Sequence, residues 1–413
     1  MGTETVPPQP SSAENTIQEL ERQYLFQNYA RYPLVLHRGK GCWVWDVNDK
    51  KYLDLIAGIG VNALGHCHPR ILKVLKAQAG RLVHSSNLYY HEFQGPLAKR
   101  IAQTSGLQRC FFSNSGTEAM DGALKMAKAH GNQTGPGKIE IVSLENSFHG
   151  RTVGALSVTG QPKYRRDFEP LMPGVRFVPP NDATALEQVV SGHTAGIVIE
   201  GIQGEGGIYP MSADYIRKAR ELADRYNALL IFDEIQCGVG RPGVHYSYQL
   251  IDPVVLPDIM VAAKPLACGL PLGVIAANEK AAATMGLGSH GSTFGGNTLA
   301  CRVALEFFDI LDELLPSIRR VGGYFKMKLD ELARHFAGIK EIRGQGLMLG
   351  VELTFPGRQV VLDAMSEGML INCTHDVVLR FLPPYILTEK EVDRAVRILR
   401  KILKRAKPPA PAA

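Results

Sequence analysis

Two apolar runs in the middle of the chain each end in an ionisable residue. Residues 229–232 (LLIF) run into Asp233 and Glu234, and residues 259–263 (IMVAA) run into Lys264. Short apolar runs without alternation predict strands buried on both faces, as in a parallel sheet covered by helices. The same texture repeats from Arg109 onward. RCFFSNSGTEAMDGALKMAKAH reads as strand, glycine turn and helix, and 139–144, 197–200, 229–233 and 259–263 read as further strands. Helical stripes such as 212–226 lie between several of them, which predicts an α/β domain with a largely parallel sheet. LPLGVIAAN at 270–278 adds a strand of either direction. Ligands bind such sheets at the carboxyl ends of the strands, the edge that receives Asp233 and Lys264.

The flanks read differently. Residues 16–29 predict a short helix. Alternating Trp43, Trp45 and Val47, a turn at Asn48-Asp49, then Tyr52, Leu53 and Leu55 predict a hairpin. A helix follows GHCHP, with Ile71, Leu72, Leu75 and Ala79 on one stripe. Past Thr298, two helices are expected at 299–315 and 321–336, then short strands at 342–343, 348–353, 370–372 and 377–380. A last helix opens on Thr388-Glu389-Lys390-Glu391, a capping-box pattern, with Val392, Ala395, Val396, Leu399 and Leu403 as its buried stripe. The division expected is a disordered tail at 1–16, an N-terminal segment of a small domain at 17–64, a large domain at 65–298 and a C-terminal small α+β domain at 299–413.

Composition changes this picture little. A 413-residue chain that is 45% hydrophobic and 21% charged is an ordinary globular sequence. The formal charge of +6 comes from 46 basic and 40 acidic residues, with much of the excess at 397–407. No basic face interleaves with aromatics, so no nucleic-acid partner is expected. No apolar stretch approaches the ~20 residues that span a bilayer, so no membrane partner is expected either. Seven scattered cysteines, an odd number with no C-x-x-C, predict free thiols in a reducing compartment. With no signal-peptide pattern at the N-terminus, the expected location is the cytoplasm.

Several residues carry two readings at this stage. Ser115-Gly116-Thr117 stands where a strand hands over to a helix; it reads as a phosphate cradle or as a simple N-cap. Gly238, Gly240 and Gly243 match a dinucleotide-loop pattern, but Pro242 sits inside it and no helical stripe follows. His66-Cys67-His68 lacks a third ligand at metal spacing, so no metal is expected. Lys264 at a strand end is a lysine with a lowered pKa or one that snorkels. Asp233 is a functional carboxylate or a turn cap. Arg151 and Arg380 bind a carboxylate or form structural ion pairs. Phe148 is core or a stacking face.

Taken together, SGTEA (115–119), ENSFHGRT (145–152), EGIQGEGG (200–207), LLIFDEIQCGVGR (229–241), the lysine of AAKPLACGLPLG (262–273) and HGSTFGGNTLAC (290–301) resemble the class III, pyridoxal-phosphate-dependent aminotransferases. LGHCHP (64–69) and LRFLPP (379–384) extend the likeness along most of the chain. The resemblance implies a fold-type-I pyridoxal 5'-phosphate transferase. It would have a large domain with a mostly parallel sheet of the seven-stranded type, and a smaller α+β domain built from N- and C-terminal segments. It implies a homodimer with active sites at the subunit interface. Lys264 would be the Schiff-base lysine and Asp233 the partner of the pyridinium nitrogen. Gln236 would lie near the ring's phenolic oxygen and Phe148 on the ring face. Ser115, Gly116 and Thr117 would hold the phosphate, with Thr293 reaching it from the other subunit. Ser292 would approach the substrate.

The same likeness gives the arginines a joint purpose. Arg151 would take the α-carboxylate of N2-acetyl-L-ornithine, presenting the δ-amine. Glutamate would place its α-carboxylate on Arg380 and its γ-carboxylate on Arg151. Glu205 would pair with Arg380 for the first substrate and swing aside for glutamate or 2-oxoglutarate. The implied reaction moves the δ-amino group of N2-acetyl-L-ornithine to 2-oxoglutarate in arginine biosynthesis. The alternatives are 4-aminobutyrate, succinylornithine or another ω-amino acid as donor, or a pyridoxal-phosphate aminomutase. Three departures stand out: Pro265-Leu266-Ala267-Cys268 replaces the usual Gly-rich text, Gly201 replaces a frequent proline, and Ile59 stands where ornithine δ-aminotransferases carry tyrosine.

Overall fold

A computed structural model describes residues 12–251 and 253–405. Its centre is a seven-stranded sheet in the order Arg109–Ser113, Gly273–Ala277, Ile259–Ala262, Leu229–Asp233, Thr194–Ile199, Glu140–Leu144, Val175–Val178. Gly273–Ala277 runs antiparallel to both neighbours, and the other adjacent pairs are parallel. The uninterrupted apolar runs follow from burial on both faces. In the central strand Leu229 and Ile231 join one apolar core with the helix Gly116–Thr134, while Leu230 and Phe232 join the other core. Successive side chains of a strand point to opposite faces, so both faces demand apolar residues until the strand ends.

N- and C-terminal segments build the remainder. Strands Leu36–Lys40, Trp43–Asp46 and Lys51–Asp54 form an antiparallel set that Met369–Leu370 extends in parallel. A second, fully antiparallel sheet orders Ile339–Gln345, Met348–Leu353, Val378–Phe381 and Asn372–Thr374. The last helix, Glu389–Leu403, has the expected capping box between Thr388 and Glu391.

Some expectations are corrected. The two helices expected at 299–315 and 321–336 are one helix, Thr298–Ala333, with Pro316 inside it. A proline there costs about 3 kcal/mol. Burial of Ile318, Val321, Phe325, Leu329 and Leu332 beyond it offsets that cost. The N-terminal helix spans Ser12–Tyr24, so residues 12–16 of the expected disordered tail are helical, and 1–11 lie outside the described residues. In Pro69–Ala79 the buried positions are Ile71 and Gln78, and Ala79 is exposed. The strand Val175–Val178 went unread because it is a short edge strand with an exposed arginine. The strand expected at 370–372 splits between the two smaller sheets. Among the described residues, no helix is long and apolar enough to cross a membrane.

Candidate active site

Asp233 closes the central strand, and Lys264 opens a 3₁₀ turn, Lys264–Ala267, just past the neighbouring strand. Both line one cavity of about 410 Å³ at the carboxyl edge of the sheet. The buried Asp233 accepts a bond from the Ile235 N–H at 3.0 Å through one oxygen. Its other oxygen lies 2.7 Å from His149 Nδ1. His149 is itself buried, and its Nε2 has no partner among the described residues. Burial opposes charging the imidazole, but the Asp233 bond and charge override it and raise its pKa. Glu200 stands close behind, accepting the Phe148 N–H at 3.1 Å and the Gly204 N–H at 3.2 Å. Burial pushes its pKa up, against the pull of the His149 charge. For Lys264, burial lowers the pKa; the Glu205 carboxylate opposes this and the Arg380 guanidinium reinforces it. A lysine of lowered pKa is more often an uncharged, nucleophilic amine.

The opposite end of the cavity is a helix start. Ser115 caps Gly116–Thr134, its hydroxyl accepting the Glu118 N–H at 3.3 Å. Glu118 in turn accepts from Asn114 N and Nδ2 at 2.7 and 2.9 Å. The first N–H groups of a helix have no intrahelical acceptor, and the dipole favours an anion beside them. Both readings of Ser115 therefore hold at once. The Thr117 hydroxyl is engaged elsewhere: it accepts the N–H groups of Arg151 and Thr152 at 3.0 and 3.1 Å and pairs with the Thr152 hydroxyl at 2.8 Å. Gly150, at φ 142°, fits over it, because a Cβ there would overlap that hydroxyl. The Thr117 side chain thus builds the turn that presents Arg151.

Two arginines flank the cavity. Arg151 is exposed, stacks over Tyr164 with 4.1 Å to the ring centroid, and lies 5.5 Å from that of Phe148. Phe148 lines the cavity and meets Tyr164 edge-on at 5.7 Å. Arg380, on Val378–Phe381, is 1% exposed. It donates to Glu205, to Gln236 Oε1 at 3.0 Å and to Asn372 Oδ1 at 3.2 Å. Gln236 also donates to Glu205 at 3.4 Å, so its amide bridges the pair. Burial opposes ionisation of Glu205, but Arg380 overrides it and the carboxyl pKa falls.

Nine of the residues singled out in the sequence line this cavity: Ser115, Gly116, Thr117, Phe148, Arg151, Glu205, Asp233, Gln236 and Lys264. Arg380 reaches it through Glu205 and Gln236. Ser292 and Thr293 are not among its lining residues. The Ser292 hydroxyl is taken up within its own chain, accepting from Asn114 Nδ2 and Gly295 N at 3.0 Å each. Thr293 is exposed. Sequence reasoning missed His149, Glu200, Asn114 and Tyr164. The signal for His149 was its place between Phe148 and Gly150 in a motif already chosen, but its carboxylate partner is 84 residues away.

The departures have local causes. Cys268 ends the turn after Lys264 in the left-handed region at φ 51°, a conformation that suits glycine. A Cβ at Gly201 would overlap the Ser247 hydroxyl, and Ser247 holds the buried Glu234 through its N–H at 2.8 Å. Burial pushes the Glu234 pKa up to about 7. Ile59 lies in a left-handed stretch, 40% exposed and outside the cavity lining, while Val61 beyond it does line the cavity. The glycines 238, 240 and 243 form turns beside the site, with Gly240 N bonded to His245 O at 3.0 Å. Among the described residues, no group of three or more His, Cys, Asp or Glu is placed to hold a metal.

A helix start for a phosphate, an aromatic face, a buried carboxylate steadied by an imidazole, and an amine of lowered pKa fit one group, a phosphorylated pyridine aldehyde. The fold and cavity are those of a pyridoxal 5'-phosphate-dependent transferase. The class III aminotransferase family model matches residues 24–403, and the chain belongs to that family, whose cofactor is pyridoxal 5'-phosphate. It is 46% identical over 394 residues to the acetylornithine aminotransferase of Methanocaldococcus jannaschii, covering 95% of this chain and 98% of that one. It is 46% identical over 383 residues to the acetylornithine aminotransferase of Aquifex aeolicus, covering 92% and 100%. Among solved structures it is similar to the ornithine aminotransferase of Toxoplasma gondii, with a TM-score of 0.90, 34% identity and 95% of each chain covered.

Proposed function

We propose that this aminotransferase moves the δ-amino group of N2-acetyl-L-ornithine to 2-oxoglutarate, giving N-acetyl-L-glutamate 5-semialdehyde and L-glutamate. This would be a step of arginine biosynthesis in the cytoplasm. The observation that carries the reading is the unequal state of the two arginines. Arg151 is exposed and, among the described residues, has no carboxylate within ion-pair distance, whereas Arg380 is buried and already paired with Glu205. A donor with one carboxylate needs one open guanidinium, and its acylated α-nitrogen cannot react. A five-carbon dicarboxylate needs both, and the second must be released by its own counter-ion. The relatives named acetylornithine aminotransferase support the same donor.

When bound, the cofactor supplies a carbonyl to take up the amine and a ring that draws electrons from the reacting carbon. The residues of the chain supply the rest. Lys264, with its lowered pKa, would hold the cofactor's carbonyl carbon through its amine and would take or give the proton moved at the reacting carbon. Asp233, fixed by His149 and the Ile235 N–H, would pair with the ring nitrogen. The helix start at Ser115-Gly116 takes the phosphate with backbone N–H groups, Thr117 contributing its own N–H. Phe148 covers one ring face. Gln236 is placed to serve both the ring oxygen and the Glu205–Arg380 pair. Arg151 orients the donor by its α-carboxylate.

The active enzyme is proposed to be a homodimer, with Thr293 completing the partner's phosphate site and Ser292 near the substrate. Exposed Leu88, Tyr89, Tyr90 and Phe294 support this, since together they are a large apolar surface for a single chain. All seven cysteines are free, in keeping with a reducing compartment. The test is single-turnover kinetics of the holoenzyme with acetylornithine, succinylornithine, ornithine, 4-aminobutyrate and glutamate taken separately. Acetylornithine is expected to have the highest kcat/KM of the four ω-amino donors; a higher value for 4-aminobutyrate or ornithine would overturn the assignment.

A further inference from the structure

Glu205 lies in the glycine-rich loop of a small hairpin, Ile202–Gln203 paired with Tyr209–Pro210. Its neighbours are Gly204, Gly206 and Gly207, and Gly207 sits at φ 100°. Glycines bring backbone freedom and no side-chain packing. Within the loop the Gly207 N–H reaches the Gly204 carbonyl at 3.4 Å and the Gly204 N–H reaches Glu200 at 3.2 Å, while two further fixings come from the small antiparallel sheet. The Thr374 hydroxyl donates to the Glu205 carbonyl at 2.7 Å, and Arg343 Nε donates to the Gly207 carbonyl at 2.8 Å. Thr374 and Arg343 are both buried, and Arg343 is further tied to Glu341 and Glu352.

The register of that sheet makes the arrangement tight. In the antiparallel pair Asn372–Thr374 and Val378–Phe381, Asn372 faces Arg380 and Thr374 faces Val378. The strand that holds the Arg380 guanidinium through Asn372 therefore also holds the Glu205 backbone through Thr374, two residues along. Carboxylate and guanidinium are both located by one rigid patch. We propose that Thr374 is a positioning residue for the acid–guanidinium switch: it fixes the Glu205 main chain so that only the carboxylate moves when a dicarboxylate claims Arg380.

This rests on the reading of Glu205 and Arg380 given under the proposed function. Its consequence is asymmetric. Without the Thr374 bond, Glu205 neutralises Arg380 less well. A donor with a single carboxylate then loses it to Arg380 in an unproductive pose. Glutamate, which uses Arg380 directly, is little affected.

The experiment measures both half-reactions of the holoenzyme for the wild type, Thr374→Val, Thr374→Ser and Glu205→Ala, with acetylornithine and with glutamate. Thr374→Val is expected to lower kcat/KM for acetylornithine by about 3–10-fold, the effect of one internal hydrogen bond. The glutamate value should stay within about 2-fold of wild type. Thr374→Ser, which restores the hydroxyl, should recover the acetylornithine value, and it remains informative if the valine variant folds poorly. Glu205→Ala should act in the same direction and further. A selective loss in Glu205→Ala, with equal losses or none in Thr374→Val, or with no recovery in Thr374→Ser, overturns the role of Thr374 alone. Equal losses of both half-reactions in Glu205→Ala overturn the switch itself, and the role of Thr374 with it.

Discussion

Arg151 and Arg380 carry the same charge and stand at the same site, but they are opposites in environment. Arg151 is exposed, held by a turn built on Thr117 and steadied by the face of Tyr164. Arg380 is enclosed, with Glu205, Gln236 and Asn372 around it. An exposed guanidinium loses little in waiting for an anion, because water and an aromatic face satisfy it. A buried one left unpaired would cost several kcal/mol, so the fold supplies a resident carboxylate. The pair teaches that one site can hold an open guanidinium and a paired one, distinguished by burial and not by residue type.

The largest effect tests what the two arginines share. Lys264→Met should abolish both half-reactions, by about 10⁴-fold or more, because in the proposed function one side chain would serve as nucleophile and as proton carrier. The same variant should make the apo protein more stable at neutral pH. Burial lowers the pKa of Lys264, so the folded state binds fewer protons than the unfolded state between its folded pKa and the ordinary 10.5. The penalty for burying the ammonium is therefore complete below the folded pKa and gone above 10.5. Thermal unfolding of apo protein over that range should show the advantage of Lys264→Met over the wild type widening as pH falls. A gap independent of pH would place the ammonium in water.

The next effect separates the two sites. Arg380→Ala should cut the glutamate half-reaction by about 10²–10³-fold, as expected for truncating a buried charged partner, and the acetylornithine half-reaction far less. Arg151→Ala should reduce both, by about 10–10²-fold, since in the proposed function both substrates would place a carboxylate on it. Equal losses in Arg380→Ala would break the contrast. A loss confined to glutamate in Arg151→Ala would invert it.

The smallest effect sharpens the frame around Lys264. Cys268 holds a left-handed conformation at φ 51° that costs a non-glycine residue about 1 kcal/mol. Cys268→Gly, read by urea unfolding, should come out near neutral to about 1 kcal/mol more stable, with the relief of strain set against the greater entropy of the unfolded glycine. A loss of several kcal/mol would show that the half-buried thiol packs more than it strains.

Much of this was legible in the chain. The parallel sheet followed from apolar runs that no half-exposed strand would tolerate, and the cavity floor from the residues that end those runs. The capping box at Thr388 is local chemistry and could be read locally. The long helix through Pro316 was not legible, because its continuation depends on apolar burial against other elements. Nor was His149, whose partner lies on another strand, nor the dual use of Ser115 and the diversion of the Thr117 hydroxyl to Arg151.

The sequence by itself determined which residues are ionisable, where apolar runs stop, and which motifs stand in class III order. It could not determine charge state or pairing. The pairing of Asp233, the pKa of Lys264 and the pairing of Arg380 depend on burial and on partners 84, 59 and 175 residues away: His149 for Asp233, Glu205 for Lys264 and for Arg380. Only the tertiary structure brings those groups together in a medium that screens them poorly, and there the electrostatics of the site is decided.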